Sequence, residues 1–240
     1  MLSSQENNMI RVVLMAGVVF MLSQGVVSAE QQSPFTKGET ITYDIKKLGV
    51  TVGKMVLTYK GFVVLDDREL ELVIFEASAL NFDDTEQIYL DPETFRPVVV
   101  KREVNLWGKK ELIEERYARD SGKVTVIKRV DGTETTQIIE KAAPLDNIYG
   151  FLYFYRKKGD FRVGENMDLC LPTKDIQIKL LRKEFVKAGG EKKAAYYLES
   201  DPSEYKLWFD QSKQRIPLRI DGAIGFGKTA MVMSSYQEGE

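Results

Sequence analysis

Short runs that alternate apolar and polar residues recur along most of the chain, and they constrain its fold more than any other feature. Ile41, Tyr43 and Ile45 alternate with polar residues, as expected of a strand with one buried face. Turn residues separate such runs. The segment Gly49–Gly53 follows the first run, and the pair Asp131–Gly132 is a strong hairpin signal. Many successive hairpins predict a mainly β protein built on a single curved antiparallel sheet or an open half-barrel.

One segment departs from the strand pattern. Asp146 lies near its start, where a carboxylate suits the helix dipole, and Gly159 follows as a natural C-cap after Lys157 and Lys158. We therefore predict a short helix on the concave face of the sheet, either as a plug of the core or as part of a binding site. Its apolar residues recur at helical spacing: Leu145, Ile148, Phe151, Leu152 and Tyr155.

A weak internal repeat links residues 88–98 with residues 207–218. Each copy is a strand that ends in Asp, followed by a short turn and by Arg and Pro at the start of the next strand. An Asp side chain can accept hydrogen bonds from the turn backbone, and Pro is tolerated at the first residue of a strand. We therefore interpret Asp91 and Asp210 as structural residues.

The N-terminal residues have the pattern of an export signal. Arg11 supplies a positive charge, residues 12–22 form a short apolar run, and Val27–Ala29 matches a signal-peptidase site. Because the run is too short for a permanent membrane-spanning helix, we expect residues 1–29 to be a signal peptide cleaved after Ala29. Residues 30–240 are then expected to form a single all-β exported domain in the periplasm. Met1 and Met9 both remain possible start residues.

The composition excludes several classes of function. Histidine is absent, which removes the commonest general base and the commonest transition-metal ligand. We therefore expect no catalytic residues, no metal and no cofactor. A net charge of −2 with interspersed signs gives no electrostatic footprint for nucleic acid. Cys170 is the single cysteine, so no intrachain disulfide can form, and its apolar neighbours predict a half-buried strand position.

Two further patterns look like ligand sites but are not interpreted as such. Residues 222–229 match the P-loop expression, yet that motif needs a helix directly after it to hold the phosphates. Met231–Ser235 is instead typical of a strand, so we predict a Gly-rich hairpin and no nucleotide. Asp83, Asp84 and Glu86 lack the spacing of an EF-hand loop, and we interpret them as a solvated acidic turn.

Five short stretches follow a shared pattern: Gly38–Tyr43, Leu48–Gly53, Leu145–Arg156, Val163–Asn166, and Trp208–Pro217 with the terminal Gly-rich hairpin. Together they resemble the exported bacterial family known as domain of unknown function 3108. The resemblance covers most of the mature chain and implies an exported protein without an established activity. More loosely, the chain is similar to periplasmic lipoprotein carriers, which implies a half-barrel with an apolar concave face.

These observations predict non-enzymatic binding of an apolar or amphipathic envelope ligand, a lipid or a lipoprotein. Any part of the apolar concave face that the helix leaves open suits a lipid tail. One alternative is a structural or regulatory module with a solid core that binds another envelope protein through a strand edge. A less favoured alternative is a glycan-acting enzyme with paired carboxylates in an open cleft. The predicted ligand-binding residues are Tyr43, Ile45, Phe75, Trp107, Phe151 and Trp208.

Overall fold

A computed structural model describes residues 34–118, 121–222 and 229–240. The predicted signal peptide, residues 1–29, lies outside the described residues and stays a prediction. The described part contains fourteen strands and one helix. They are β1 (Thr40–Lys47), β2 (Val50–Leu65), β3 (Arg68–Ala79), β4 (Phe82–Leu90), β5 (Pro97–Leu106), β6 (Lys109–Tyr117), β7 (Gly122–Val130), β8 (Thr133–Lys141), α1 (Ile148–Lys158), β9 (Asn166–Leu171), β10 (Lys174–Ala188), β11 (Glu191–Asp201), β12 (Lys206–Asp210), β13 (Pro217–Asp221) and β14 (Ala230–Gln237).

The strands form one antiparallel sheet in the order β8-β7-β6-β5-β4-β3-β2-β1-β14-β13-β12-β11-β10-β9. The sheet is thus two meanders joined by the pairing of β1 with β14, and β8 and β9 lie at its edges. It curves until it is nearly closed into a barrel. The predicted fold, a curved antiparallel sheet with one short helix, is confirmed.

Hairpin turns follow local backbone chemistry, with one difference from the prediction. Asp131 and Gly132 connect β7 to β8 with positive φ angles of 49° and 77°, as the sequence indicates. Between β1 and β2 the turn consists of Leu48 and Gly49 alone. Gly53, predicted to belong to that turn, lies inside β2, where an added Cβ would come within 2.4 Å of the Ser78 carbonyl oxygen. Glycine is needed there for close packing of strands.

Helix α1 is capped by a residue that the sequence analysis did not single out. The Asn147 side chain accepts hydrogen bonds from the Tyr149 and Gly150 amides at 2.8 and 3.2 Å. Asp146 lies before this cap and instead accepts from the Cys170 amide in β9. Gly159 ends the helix with a φ of 77°, as predicted. No helix within the described ranges is long and apolar enough to cross a membrane.

Aromatic side chains place α1 on the concave side of the sheet. Tyr149 stacks on Phe75 of β3 with ring centroids 4.6 Å apart, and Tyr155 meets Phe209 of β12 edge-on at 5.4 Å. A helix that contacts strands so far apart in the sheet order lies on the side toward which the sheet curves. Full burial of each such ring contributes about 1.5–3 kcal/mol. The helix is therefore part of the hydrophobic core.

A buried ion pair ties α1 to the residue that precedes β1. The Arg156 guanidinium donates to both Glu39 carboxylate oxygens at 2.7 and 2.6 Å, and both side chains are at most 1% exposed. Arg156 Nε also donates to the Gln214 carbonyl at 3.0 Å, and the Tyr236 hydroxyl donates to Glu39 at 3.2 Å. These bonds satisfy charges that would otherwise be costly to bury.

Each copy of the internal repeat forms a turn whose backbone donates hydrogen bonds to an aspartate, as predicted. Asp91 Oδ1 accepts from the Glu93 and Thr94 amides, and Asp210 Oδ1 accepts from the Ser212 and Ile216 amides. Both aspartates are therefore structural. Cys170 lies half-buried in β9, which confirms that prediction too.

Candidate functional site

Five of the six predicted ligand-binding residues belong to one hydrophobic core cluster, and Trp107 does not. Tyr43, Ile45 and Phe75 are core residues of β1 and β3, at most 4% exposed, and Phe151 of α1 is 6% exposed. Trp107 lies at the tip of the β5–β6 hairpin and is 75% exposed. The apolar face that these residues were chosen to line is largely covered by α1.

Trp208 faces away from the concave side. Leu207 and Phe209, its neighbours in β12, are at most 1% exposed, and the alternation of a strand directs Trp208, which is 8% exposed, to the convex face. There its ring lies 4.9 Å from that of Tyr197, and its Nε1 donates to Glu184 at 2.6 Å. Trp208 was chosen for its size and its strand phase, and the phase was assigned to the wrong face of the sheet.

An acidic pair on β4 lies on the concave face. Asp84 and Glu86 alternate in phase with Ile88 and Leu90, which are fully buried, so all four side chains point inward. The interpretation of a solvated acidic turn is therefore wrong, since Asp84 is only 3% exposed. The signal that could have located this pair is its period-two spacing, which continues into the apolar residues of the same strand.

Arg102, directly opposite Glu86 on β5, contacts both carboxylates. Its Nε and Nη2 donate to the two Asp84 oxygens at 2.8 and 2.6 Å, and its Nε lies 3.3 Å from Glu86 Oε1. Asp84 thus takes the bidentate contact. Burial of Glu86, with the charges of Asp84 and Glu115, outweighs the attraction of Arg102 and raises the pKa of Glu86 to about 7. Glu86 can therefore exchange a proton near neutral pH.

These side chains line a cleft of about 320 Å³, which we call the acidic cleft. Glu115 of β6 accepts a hydrogen bond from the Tyr117 hydroxyl, and burial raises the pKa of both Tyr117 and Tyr149, so both hydroxyls stay neutral. Within the described residues, no group of His, Cys, Asp and Glu has an arrangement that could hold a metal ion. The lining residues are Phe75, Asp84, Glu86, Val100, Arg102, Glu115, Tyr117, Asp146, Asn147, Ile148, Tyr149, Leu171, Pro172 and Thr173.

The charges in the acidic cleft favour a cationic guest. Asp84, Glu86 and Glu115 face the single guanidinium of Arg102, and Asp146 at the border is paired with Arg96 at 3.2 Å. Low-dielectric walls strengthen the resulting negative field. A carboxyl with a raised pKa in a cleft is also a recognised mark of a functional site.

A second cleft of about 350 Å³ borders the same end of α1, and we call it the aromatic cleft. It shares Asp146 and Asn147 with the acidic cleft. Phe151 is the one predicted ligand-binding residue that lines it. Its apolar walls are Phe95, Phe151, Phe154, Met167 and Leu169. The acidic cleft and the aromatic cleft thus meet at the N-terminal end of α1.

Comparison with solved structures supports the fold. A β-barrel-like protein of domain of unknown function DUF1849 from Brucella abortus matches with a TM-score of 0.52 at 11% identity, covering 86% of this chain and 99% of that one. A candidate lipoprotein from Parabacteroides distasonis gives a TM-score of 0.30 at 9% identity, with coverage of 85% and 98%. At such low identity the first likeness concerns the fold alone.

Comparison with sequences identifies the family. No curated protein matches the chain. The profile of the family described as "Protein of unknown function (DUF3108)" matches residues 40–234, which include every strand from β1 to β13 and most of β14. The chain therefore belongs to the DUF3108 family.

Proposed function

We propose that the protein is a non-enzymatic, exported binding protein for an amphipathic envelope ligand that carries a cationic group such as a primary amine. The observation that supports this proposal is the acidic cleft, in which three carboxylates face one guanidinium beside the aromatic cleft. The ligand's cation contacts Glu86 and Glu115, and its apolar part contacts Phe151 and Phe154. The export signal in the sequence supports the envelope location.

Proton exchange by Glu86 should be coupled to ligand binding. The pKa of Glu86 is raised to about 7, and a bound cation stabilises the ionised form, so it lowers that pKa. Below pH 7 the cation must therefore displace a proton from Glu86, and its affinity falls. Lowering the pH from 8 to 6 is expected to weaken binding about tenfold, since one pKa unit corresponds to about 1.4 kcal/mol.

Isothermal titration with octylamine, which is cationic at neutral pH, and with octanoate tests the proposal. Octylamine is expected to bind and octanoate to bind far more weakly. Glu115→Gln should weaken octylamine binding about tenfold, because a charged contact contributes about 1.5–3 kcal/mol. Glu184→Gln is the matched control, since Glu184 lies beside Trp208 on the convex face. Equal affinity for both probes, or an unaffected Glu115→Gln variant, would contradict the proposal.

The raised pKa of Glu86 also favours a second candidate, hydrolysis of glycans by carboxylates. A general acid needs a proton at working pH, and Glu86 holds one up to about pH 7. Glu115 is then the second carboxylate, because both Asp84 oxygens are held by Arg102. Release of reducing ends from cell-wall glycans, abolished in Glu86→Gln, would favour this function over binding alone.

A further inference from the structure

Three successive hairpins present large apolar side chains at the same end of the sheet. The β1–β2, β3–β4 and β5–β6 turns lie at this end because the strands form a meander, and the Trp107 amide donates to the Asn81 carbonyl of the neighbouring turn. We define the apolar rim as Leu48, Val50, Leu80 and Trp107, which are 97%, 65%, 86% and 75% exposed. Exposed apolar residues grouped in this way mark interaction sites.

Two of these residues break the rules of turn chemistry. Leu48 and Trp107 occupy the first position of two-residue turns with φ angles of 51° and 56°. That conformation favours Asn, Asp or Gly, and it is strained for bulky side chains. Neither side chain is buried in return, since Leu48 is 97% exposed and Trp107 is 75% exposed. Bulky apolar residues in strained turn positions, without added burial to offset the strain, indicate a functional role.

Lysines without partners surround the apolar rim. Lys47 flanks the β1–β2 turn, Lys54 follows in β2, and Lys109 directly follows the β5–β6 turn. None of these three ammonium groups makes an ion pair within the described ranges, and each is exposed. The exposed carboxylates at this end include Asp83, which accepts a hydrogen bond from Ser78, and Asp131 at the tip of the next hairpin, β7–β8. The rim therefore combines apolar tips with positive charge.

We propose that the apolar rim docks the protein on an anionic phospholipid bilayer. Neighbouring hairpins are separated by two strand spacings, about 10 Å. Their tips therefore form a row, which can contact a flat surface such as a bilayer more readily than it can enclose a small ligand. Leu48, Leu80 and Trp107 enter the interface between headgroups and acyl chains, and the lysines contact phosphates. Such docking brings the protein to the membrane, where amphipathic ligands are found. The docking residues are separate from both the acidic cleft and the aromatic cleft.

Tryptophan fluorescence offers a direct test, because the chain has two tryptophans and they differ in exposure. Trp208 is 8% exposed and Trp107 is 75% exposed, so a Trp208→Phe variant reports on Trp107 alone. With vesicles of phosphatidylglycerol and phosphatidylcholine, the emission is expected to shift to shorter wavelength. Pure phosphatidylcholine vesicles should cause a much smaller shift, and added salt should weaken the effect.

Co-sedimentation with the same vesicles measures the contribution of each residue. Leu48→Asn and Trp107→Asn should each lower vesicle affinity about tenfold or more, while the urea midpoint stays at or above that of the wild type, because Asn suits both turns. Phe62→Ser and Val64→Ser are matched controls, since these residues are 58% and 76% exposed in the part of β2 near the β2–β3 turn. Both controls should keep full vesicle binding.

Three outcomes would overturn the proposal. The first is the absence of binding to phosphatidylglycerol vesicles by the wild type. The second is equal loss of binding in the Phe62→Ser control. The third is a wild-type protein that does not bind vesicles but self-associates, with the self-association abolished in Leu48→Asn. The apolar rim would then be an interface between copies of the chain. Octylamine binding by Leu48→Asn is measured separately. This measurement tests the proposed ligand site independently of vesicle binding.

Discussion

Replacing Glu86 with glutamine should stabilise the fold at high pH and leave it nearly unchanged at low pH. The folded protein holds the pKa of Glu86 at about 7, against an ordinary value of 4.5. Between these two pH values the folded state keeps a proton that the unfolded state releases, so stability falls as the pH rises. The difference of 2.5 between the two pKa values, at about 1.4 kcal/mol for each unit of pH, gives a full cost of about 3–4 kcal/mol above pH 8.

Urea unfolding at pH 4.5 and pH 8.5 measures this effect. Glutamine keeps the size of the side chain and an acceptor for Arg102, but it carries no charge to bury. The variant should nearly match the wild type at pH 4.5 and exceed it in free energy of unfolding by about 3–4 kcal/mol at pH 8.5. Glu140→Gln, at an exposed carboxylate of β8, is the matched control. A difference between Glu86→Gln and the wild type that is the same at both pH values would refute the reasoning.

Three further predictions concern the docking of α1, and urea unfolding checks each of them. Arg156→Met should cost about 3–5 kcal/mol, because it leaves the Glu39 carboxylate buried without a partner; adding Glu39→Leu should recover part of that loss. Gly150→Ala would usually stabilise a helix by about 1 kcal/mol, but here it should destabilise, because the new Cβ would lie 2.5 Å from the Phe95 carbonyl oxygen. Asn147→Ala should cost about 1 kcal/mol through loss of the N-cap, whereas Asn147→Asp should cost less.

Local patterns predicted most of the fold, because strands, turns and caps are decided by neighbouring residues. The alternation of Ile41, Tyr43 and Ile45 located β1, and Gly159 located the end of α1. Site prediction was weaker, since it depends on which face of a strand meets which distant element. Trp208 was chosen for its size and strand phase, but its neighbours Leu207 and Phe209 in β12 are the residues that point to the concave side.

Long-range pairing was beyond the reach of the sequence. Glu39 and Arg156 are 117 residues apart, and nothing in either neighbourhood indicates that they meet. Asp84 and Glu86 could have been placed facing inward from their phase with Ile88 and Leu90. Their proximity to Arg102 would have required the β4–β5 register, which follows from the length of the Asp91 turn.

The pairing of β1 with β14 has a consequence for how the molecule is assembled. Ser234 donates to the carbonyl of Thr42 across this seam, although the two residues are 192 positions apart. Closing so long a stretch of chain is slow, and the rest of each meander can form earlier from local hairpins. Until the seam closes, the two halves expose four bare strand edges instead of two, and each is a template for aggregation. Substitutions that weaken this seam should therefore lower the yield of soluble protein more than their effect on final stability suggests.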